Sequence, residues 1–333
     1  MQLDSARELK ASLLESLIGP MATSFVVRSA GLRAGPTAAL AAAPPTLALG
    51  VTRKRNNDFD LAVRVQKRGL EHSPQVDTIK KKAKGEVDVR YIGQVTKRAA
   101  PPWHQKRTRP LRIGASIGHF RITAGTLGAF VRSRGDSSIL ILSNNHVLAN
   151  ENKAKTGDHI LQPGAFDGGR DPEDKMGELL RFIKLRKARA NLVDGAVATI
   201  DSGIEFDRRT LTGLGKIAGL GDPALIDDAP VGKVGRTTGT TRGRISAFEL
   251  DNVVVQYDLG VLKFDGQVEI DGGDSGPFSQ GGDSGSLIVD ADRRAVAMLF
   301  AGSDQGGSDN QGLTFANPIR AVLDALKVDL CFS

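Results

Sequence analysis

Cysteine is nearly missing from this chain: Cys331 is the only one in 333 residues, so no internal disulfide can form. A fold held without cross-links points to a reducing compartment, and the cytoplasm is the expected location. Long apolar runs are missing too. The longest uncharged stretch of the N-terminal third, residues 34–51, is interrupted by Pro36, Pro44 and Pro45, which a membrane-spanning helix would not carry, so no membrane partner is expected. The start of the chain sets Asp4, Glu8 and Glu15 among leucines, the pattern of an amphipathic helix rather than of a signal peptide. Histidine is scarce, with five residues. Four of them, His72, His104, His119 and His159, have no cysteine or motif beside them that would suggest zinc. No RRM-, KH- or helix-turn-helix-type motif accompanies the cationic Lys80-Lys81-Lys82, so a nucleic-acid partner is not expected.

What is present suits a soluble enzyme: 40% apolar and 25% charged residues are enough to bury one double-barrel domain and a smaller unit. Charge is divided unevenly. Residues 1–112 hold 21 Lys and Arg against 9 Asp and Glu, a balance of +12, which leaves −5 for the remainder. Residues 96–112 combine cations with Pro101, Pro102 and Pro110 and read as an exposed linker. Before it, β-like runs at 46–52 and 59–65, a helical run at 76–84 and a further β-like run at 87–95 describe a small basic α/β domain over residues 1–95. Opposite charge raises the expectation that this domain docks on the remainder and regulates it; the plainer expectation is a stabilising extension.

The most informative stretch is Gly281-Gly282-Asp283-Ser284-Gly285-Ser286, which runs into the apolar Leu287-Ile288-Val289. A serine on a glycine-hinged turn beside a buried strand suits a nucleophile, and the amides of Gly282 and Ser284 are placed to converge as an oxyanion hole. Serine needs a base, and the base needs an orienting group. The run 140–143 ends in polar Asn144-Asn145 directly before His146, the candidate base. Asp194, a lone acid in the largely apolar 192–200, is the candidate orienting group. The order His, Asp, Ser, with steps of 48 and 90 positions from one member to the next, suits two successive β-barrels and a nucleophilic triad.

Three blocks carry a resemblance to the trypsin-like, chymotrypsin-fold serine peptidases, and more closely to a bacterial and plant branch that includes the Narrow Leaf 1 proteins. They are Leu142-Ser143-Asn144-Asn145-His146-Val147, residues 234–243 with Gly235-Arg236-Thr237-Thr238-Gly239, and Gly282-Asp283-Ser284-Gly285-Ser286-Leu287-Ile288-Val289. The likeness covers residues 113–333. It implies a mainly β, chymotrypsin-like double β-barrel with His146 as general base, Asp194 as its orienting acid and Ser284 as nucleophile, acting on a protein or peptide substrate without metal or other cofactor. The strand 297–302 is similar to the family's substrate strand, which makes Phe300, Ala301 and Gly302 substrate-binding candidates. Phe278, six residues before the nucleophile, falls where the family builds the base of its primary pocket, and implies a small or apolar preference rather than Arg or Lys. The family also suggests a zymogen pairing, in which cleavage after Arg112 would free the amine of Ile113 to meet Asp283.

Two features compete with this reading. The pentapeptide also occurs as Gly272-Gly273-Asp274-Ser275-Gly276; Ser284 is preferred to Ser275 because Pro277 cannot donate to a following strand ladder. The tandem copies also invite a calcium-binding β-helix, yet that repeat needs glycine and aspartate where serine and proline stand, and two copies are too few. A different function class is a protease-shaped scaffold that binds a protein partner without cleaving it; retention of all three triad residues argues against it.

Overall fold

In the computed structural model the described residues are 1–18, 47–54, 58–66, 69–92, 101–223, 230–273, 276–308 and 310–332. The chain divides into two compact units, Met1–Ala99 and Ala100–Ser333. Among the described residues, no helix is long and apolar enough to cross a membrane.

The first unit joins two helices, Leu3–Leu13 and Pro74–Lys82, to a three-stranded sheet. The strand Phe59–Val65 lies in the middle, antiparallel to Leu47–Arg53 and parallel to Val87–Tyr91. A parallel neighbour requires a crossover, and the helix Pro74–Lys82 supplies it. Pro74 starts that helix, and the Ser73 hydroxyl caps it by accepting from the Val76 amide at 3.3 Å. Leu61, Val63 and Val65 pack with Val76 and Ile79 from this helix and Leu13 from the first. The expected run at 87–95 is a strand over Val87–Tyr91, with residues 93–95 outside the described set.

The second unit is mainly β and double-barrelled, the class expected from the sequence. Its first sheet has eight strands in the order Val328–Leu330, Ala129–Ser133, Ile139–Ser143, Ala196–Ala198, Lys175–Phe182, His159–Leu161, Ser116–His119 and Gly125–Thr126. Its second runs from Gly219–Leu220 through Arg294–Gly302, Leu287–Asp290, Pro230–Gly235, Gly239–Leu250 and Gln267–Asp271 to Leu313–Pro318. Leu313–Pro318 pairs back onto Arg294–Gly302, so six of these strands close into a ring and leave no exposed edge among themselves. The helix Ile319–Leu326 buries Ile319, Val322, Leu323 and Leu326, a 3.6-residue stripe, and hands the chain back to the first sheet through Lys327 in the left-handed region.

Residues 101–112, read from the sequence as exposed linker, pack on this second unit instead. His104 is buried with Nδ1 2.7 Å from the Arg236 carbonyl, and Leu111–Arg112 pairs in parallel with Phe206–Asp207. A buried imidazole and an apolar Leu111 seek partners more strongly than prolines and cations seek water.

Candidate active site

Strand Ile139–Ser143 is buried along most of its length and ends where Asn144 takes an extended conformation before a single helical turn, Asn145–Leu148. Val147 and Leu148 anchor that turn in the core, leaving the His146 side chain 22% exposed. Asp194 is fully buried, and four donors converge on its carboxylate. Oδ1 accepts from the amides of Asn145 at 2.6 Å and His146 at 3.3 Å; Oδ2 accepts from His146 Nδ1 at 2.6 Å and from the Tyr257 hydroxyl at 2.7 Å. Since a carboxylate accepts, Nδ1 carries the imidazole proton and Nε2 is left with its lone pair. The Asp194 backbone is fixed as well: its amide donates to Asn317 Oδ1 at 3.0 Å and its carbonyl accepts from Asn144 Nδ2 at 2.7 Å. Asn317 belongs to the second sheet, so the acid is tied to both.

Ser284 sits on a turn that only glycines permit. Gly282 and Gly285 have φ of +96° and +95°, and a Cβ on Gly282 would stand 2.6 Å from Thr237 Oγ1. A Cβ on Gly285 would collide with the Ser143 hydroxyl and the Thr126 carbonyl. This contact presses the turn against the strand end that delivers His146. The Ser284 carbonyl accepts from the Thr126 amide at 2.8 Å, and a Cβ on the neighbouring Gly125 would strike Val147 while lying 3.1 Å from that same carbonyl. Two close approaches therefore seat the serine turn beside the histidine turn. The amides of Asp283 and Gly285 are bonded to Gln280 O at 3.0 Å and Leu299 O at 2.9 Å; those of Gly282 and Ser284, which alternate with them, have no such partner among the described residues. An oxyanion hole needs donors that no other group has taken.

Asp283 is buried with Lys233, whose Nζ lies 3.3 Å from its Oδ2. The carboxylate also accepts from the amides of Thr237 at 2.7 Å, Thr238 at 3.1 Å and Gln280 at 3.0 Å, and from the Thr238 hydroxyl at 2.7 Å. Burial lowers the Lys233 pKa, and Asp283 opposes that shift. Asp283 thus has an internal cation, while Ile113, expected as its zymogen partner, is buried in the core of the first sheet.

A cavity of about 440 Å³ opens beside Ser284. Pro277, Ser279, Gln280, Gly281, Leu299, Ala301, Gly302, Ser303, Asp304 and Gln311 complete its lining. Ala301 and Gly302, two of the residues the sequence offered for substrate binding, are therefore at the cavity wall. Phe278 and Phe300 are not: Phe278 is 1% exposed, packed in the second barrel with its ring 5.7 Å from Lys233 Nζ, and Phe300 is 3% exposed with its ring 4.6 Å from that of Phe264. Ser279 lines the cavity while its neighbour Phe278, at a bend, is buried in the core of the second barrel. The expectation that Phe278 floors the pocket is corrected accordingly, and the lining carries one formal charge, Asp304. Ser275 lies outside the described residues.

The sequence did not single out Tyr257, Lys233 or Thr126. Tyr257 alone left a trace, as the inward end of the alternating Val253–Tyr257. Two of the other histidines have carboxylate partners: His119 Nε2 meets Asp158 at 3.0 Å and His159 Nδ1 meets Asp171 at 2.6 Å. Among the described residues, no three His, Cys, Asp or Glu side chains cluster as a metal site.

No protein-family model matches the chain, and no curated protein matches its sequence. Among solved structures it is similar to Thermobifida fusca protease A at 18% identity, covering 68% of this chain and all of that one, with a TM-score of 0.46. It is similar to Cellulomonas bogoriensis chymotrypsin at 19%, covering 68% and 100%, with a TM-score of 0.45. A glutamic acid-specific serine protease is alike at 19%, covering 66% and 100%, with a TM-score of 0.46. The solved structures to which this chain is similar are serine proteases, at identities that carry no residue's role across.

Proposed function

We propose that this protein is a serine endopeptidase that hydrolyses peptide bonds through His146, Asp194 and Ser284 by way of a covalent acyl-enzyme. The observation that carries the reading is the 2.6 Å contact of Asp194 with His146 Nδ1 beside a glycine turn bearing Ser284. His146 Nε2 takes the Ser284 proton as Oγ bonds to the substrate carbonyl carbon. The amides of Gly282 and Ser284 receive the oxyanion, and Asp194 holds the imidazolium. The imidazolium then gives that proton to the leaving amine as the C–N bond breaks, and water repeats the sequence to free the acid and regenerate Ser284.

The three sequence blocks similar to the branch that includes the Narrow Leaf 1 proteins support the same reading, as does a single cysteine for a cytoplasmic setting. Asp304, the one charge in the cavity lining, favours a substrate with a cationic side chain before the scissile bond, on a dedicated protein substrate. Residues 1–95 are proposed as a regulatory or stabilising domain.

Digestion of a proteome-derived peptide library, with new termini identified by mass spectrometry, tests the reading. Cleavage by the wild type and none by Ser284→Ala is expected. Equal cleavage by both variants overturns it, and no cleavage by either, at any enzyme concentration, favours the binding scaffold.

A further inference from the structure

The hairpin formed by Val253–Tyr257 and Gly260–Phe264 belongs to neither barrel sheet; it is a two-stranded sheet of its own. Its inward side chains, Tyr257, Leu262 and Phe264, form a separate small core with Leu185 and Phe300. Its outward ones, Val254 and Val261, are 57% and 56% exposed. Such a ribbon is marginal alone and holds its place only through what it grips.

The grips lead to the catalytic pair from both sides. At the turn, the Glu151 carboxylate accepts from the Asp258 amide at 3.1 Å and the Leu259 amide at 2.6 Å; Glu151 follows His146 by five residues. At the open end, the Asn191 amide donates to the Lys263 carbonyl at 2.8 Å, and the Asp265 amide donates to the Asn191 carbonyl at 3.0 Å; Asn191 precedes Asp194 by three. Between these ties, Tyr257 is 7% exposed, donates to Asp194 Oδ2 at 2.7 Å and meets the His146 ring edge-on at 5.8 Å. Burial and the Asp194 carboxylate raise the Tyr257 pKa well above its ordinary value, so the phenol remains a donor.

We propose that Tyr257 is a positioning residue of the triad, and that the hairpin is a latch, fastened by Glu151, which completes the hydrogen bonding of Asp194. Tyr257 touches no reacting atom. It shares Oδ2 with His146 Nδ1, and so fixes both the carboxylate plane and the direction of the imidazole. When the hairpin is unseated, Oδ2 loses one of its two donors and the imidazole its edge-on neighbour; of the cavity lining, Ala301 packs against the hairpin core, whereas loss of the Tyr257 hydroxyl alone leaves that packing in place. The latch thereby sets the rate of serine attack, and the Tyr257 hydroxyl does so without altering how a substrate binds. This inference rests on the endopeptidase reading of the same three residues.

Tyr257→Phe keeps the ring and removes the hydroxyl; Glu151→Ala frees the turn from a distance. Full-length wild type, both variants, the double variant and Ser284→Ala are treated with a fluorophosphonate, and binding and inactivation rate are measured separately. Low-field proton NMR reads the His146 Nδ1–H resonance without reference to activity. The expected result is an inactivation rate about tenfold lower in Tyr257→Phe, the loss of one hydrogen bond to a charged group, with unchanged binding and a shifted resonance. Glu151→Ala moves both readouts the same way by less, and the double variant is no slower than Tyr257→Phe alone. Wild-type rate and resonance in Tyr257→Phe, or effects of the two changes that simply multiply, overturn the proposal while leaving the endopeptidase reading intact. A wild type that the probe does not label at Ser284 overturns the endopeptidase reading itself.

Discussion

Four donors on one buried carboxylate make Asp194 the residue least able to tolerate a change of chemistry. A carboxamide there would aim an N–H₂ at donors and would leave His146 free to present the wrong nitrogen to the serine. Asp194→Asn is expected to reduce peptide hydrolysis by about 10⁴-fold with the fold retained, checked by kcat/KM beside circular dichroism. The buried Lys233–Asp283 pair makes a different prediction, because it concerns stability before activity. Both groups are fully buried, 3.3 Å apart. Lys233→Met leaves the acid without its cation and is expected to cost about 3–5 kcal/mol in chemical denaturation. A loss within experimental error would mean that the Thr237, Thr238 and Gln280 donors satisfy Asp283 unaided.

At the scale of elements, the loop between Gly302 and Leu313 carries Asp304 and Gln311 into the cavity. Asp271 ties it down, accepting from the Ser308 hydroxyl at 2.6 Å, the Ser308 amide at 2.8 Å and the Gly273 amide at 2.9 Å. The Ser308 hydroxyl, followed by the Gly273 amide, lowers the Asp271 pKa from its ordinary 3.8. A carboxylate with a lowered folded pKa contributes its stabilisation above the unfolded value and loses it as pH falls through the folded one. The protection of the 303–308 amides, measured as hydrogen exchange relative to the intrinsic rate at each pH, is therefore expected to hold from neutral pH downward and to fall only below the ordinary Asp range. The same loop sets the specificity prediction: Asp304→Asn lowers kcat/KM for peptides with Lys or Arg before the scissile bond, relative to those with Leu, as measured on paired fluorogenic peptides.

Elements also set the limit of what the sequence offers. The mainly β class was legible because runs such as 140–142 and 287–289 are apolar and end in polar or glycine-rich turns. The histidine after a strand and the serine on a glycine turn were visible for the same local reason. The contribution of Tyr257 to Asp194 was not, since it depends on a hairpin 63 residues away whose seat is fixed by Glu151 and Asn191. Nor was the side of the chain that Phe278 takes. Phe278 lies at a bend outside any strand, and its place in the core beside a cavity-lining Ser279 is decided by how that bend packs on the barrel rather than by the local sequence.

For the whole molecule, the open question is what the basic first unit does for the second. Residues 1–99 carry +8 and the remainder −1, and attraction between exposed charges is screened by salt within about 10 Å at 0.1 M. If the first unit restrains the second, removing residues 1–100 raises the fluorophosphonate labelling rate, and salt raises the rate of the intact chain towards it; equal rates for both chains leave a stabilising extension. The cut belongs at 100 rather than 112, since His104 and Leu111–Arg112 are built into the barrel unit.

The central claim is that Ser284 is activated by His146, and fluorophosphonate labelling of the full-length protein tests it without knowledge of the substrate. The account predicts one adduct per chain, mapped to Ser284, absent from Ser284→Ala and His146→Ala and retained in Ser275→Ala. An adduct that persists in Ser284→Ala, or full-rate labelling of His146→Ala, would contradict it.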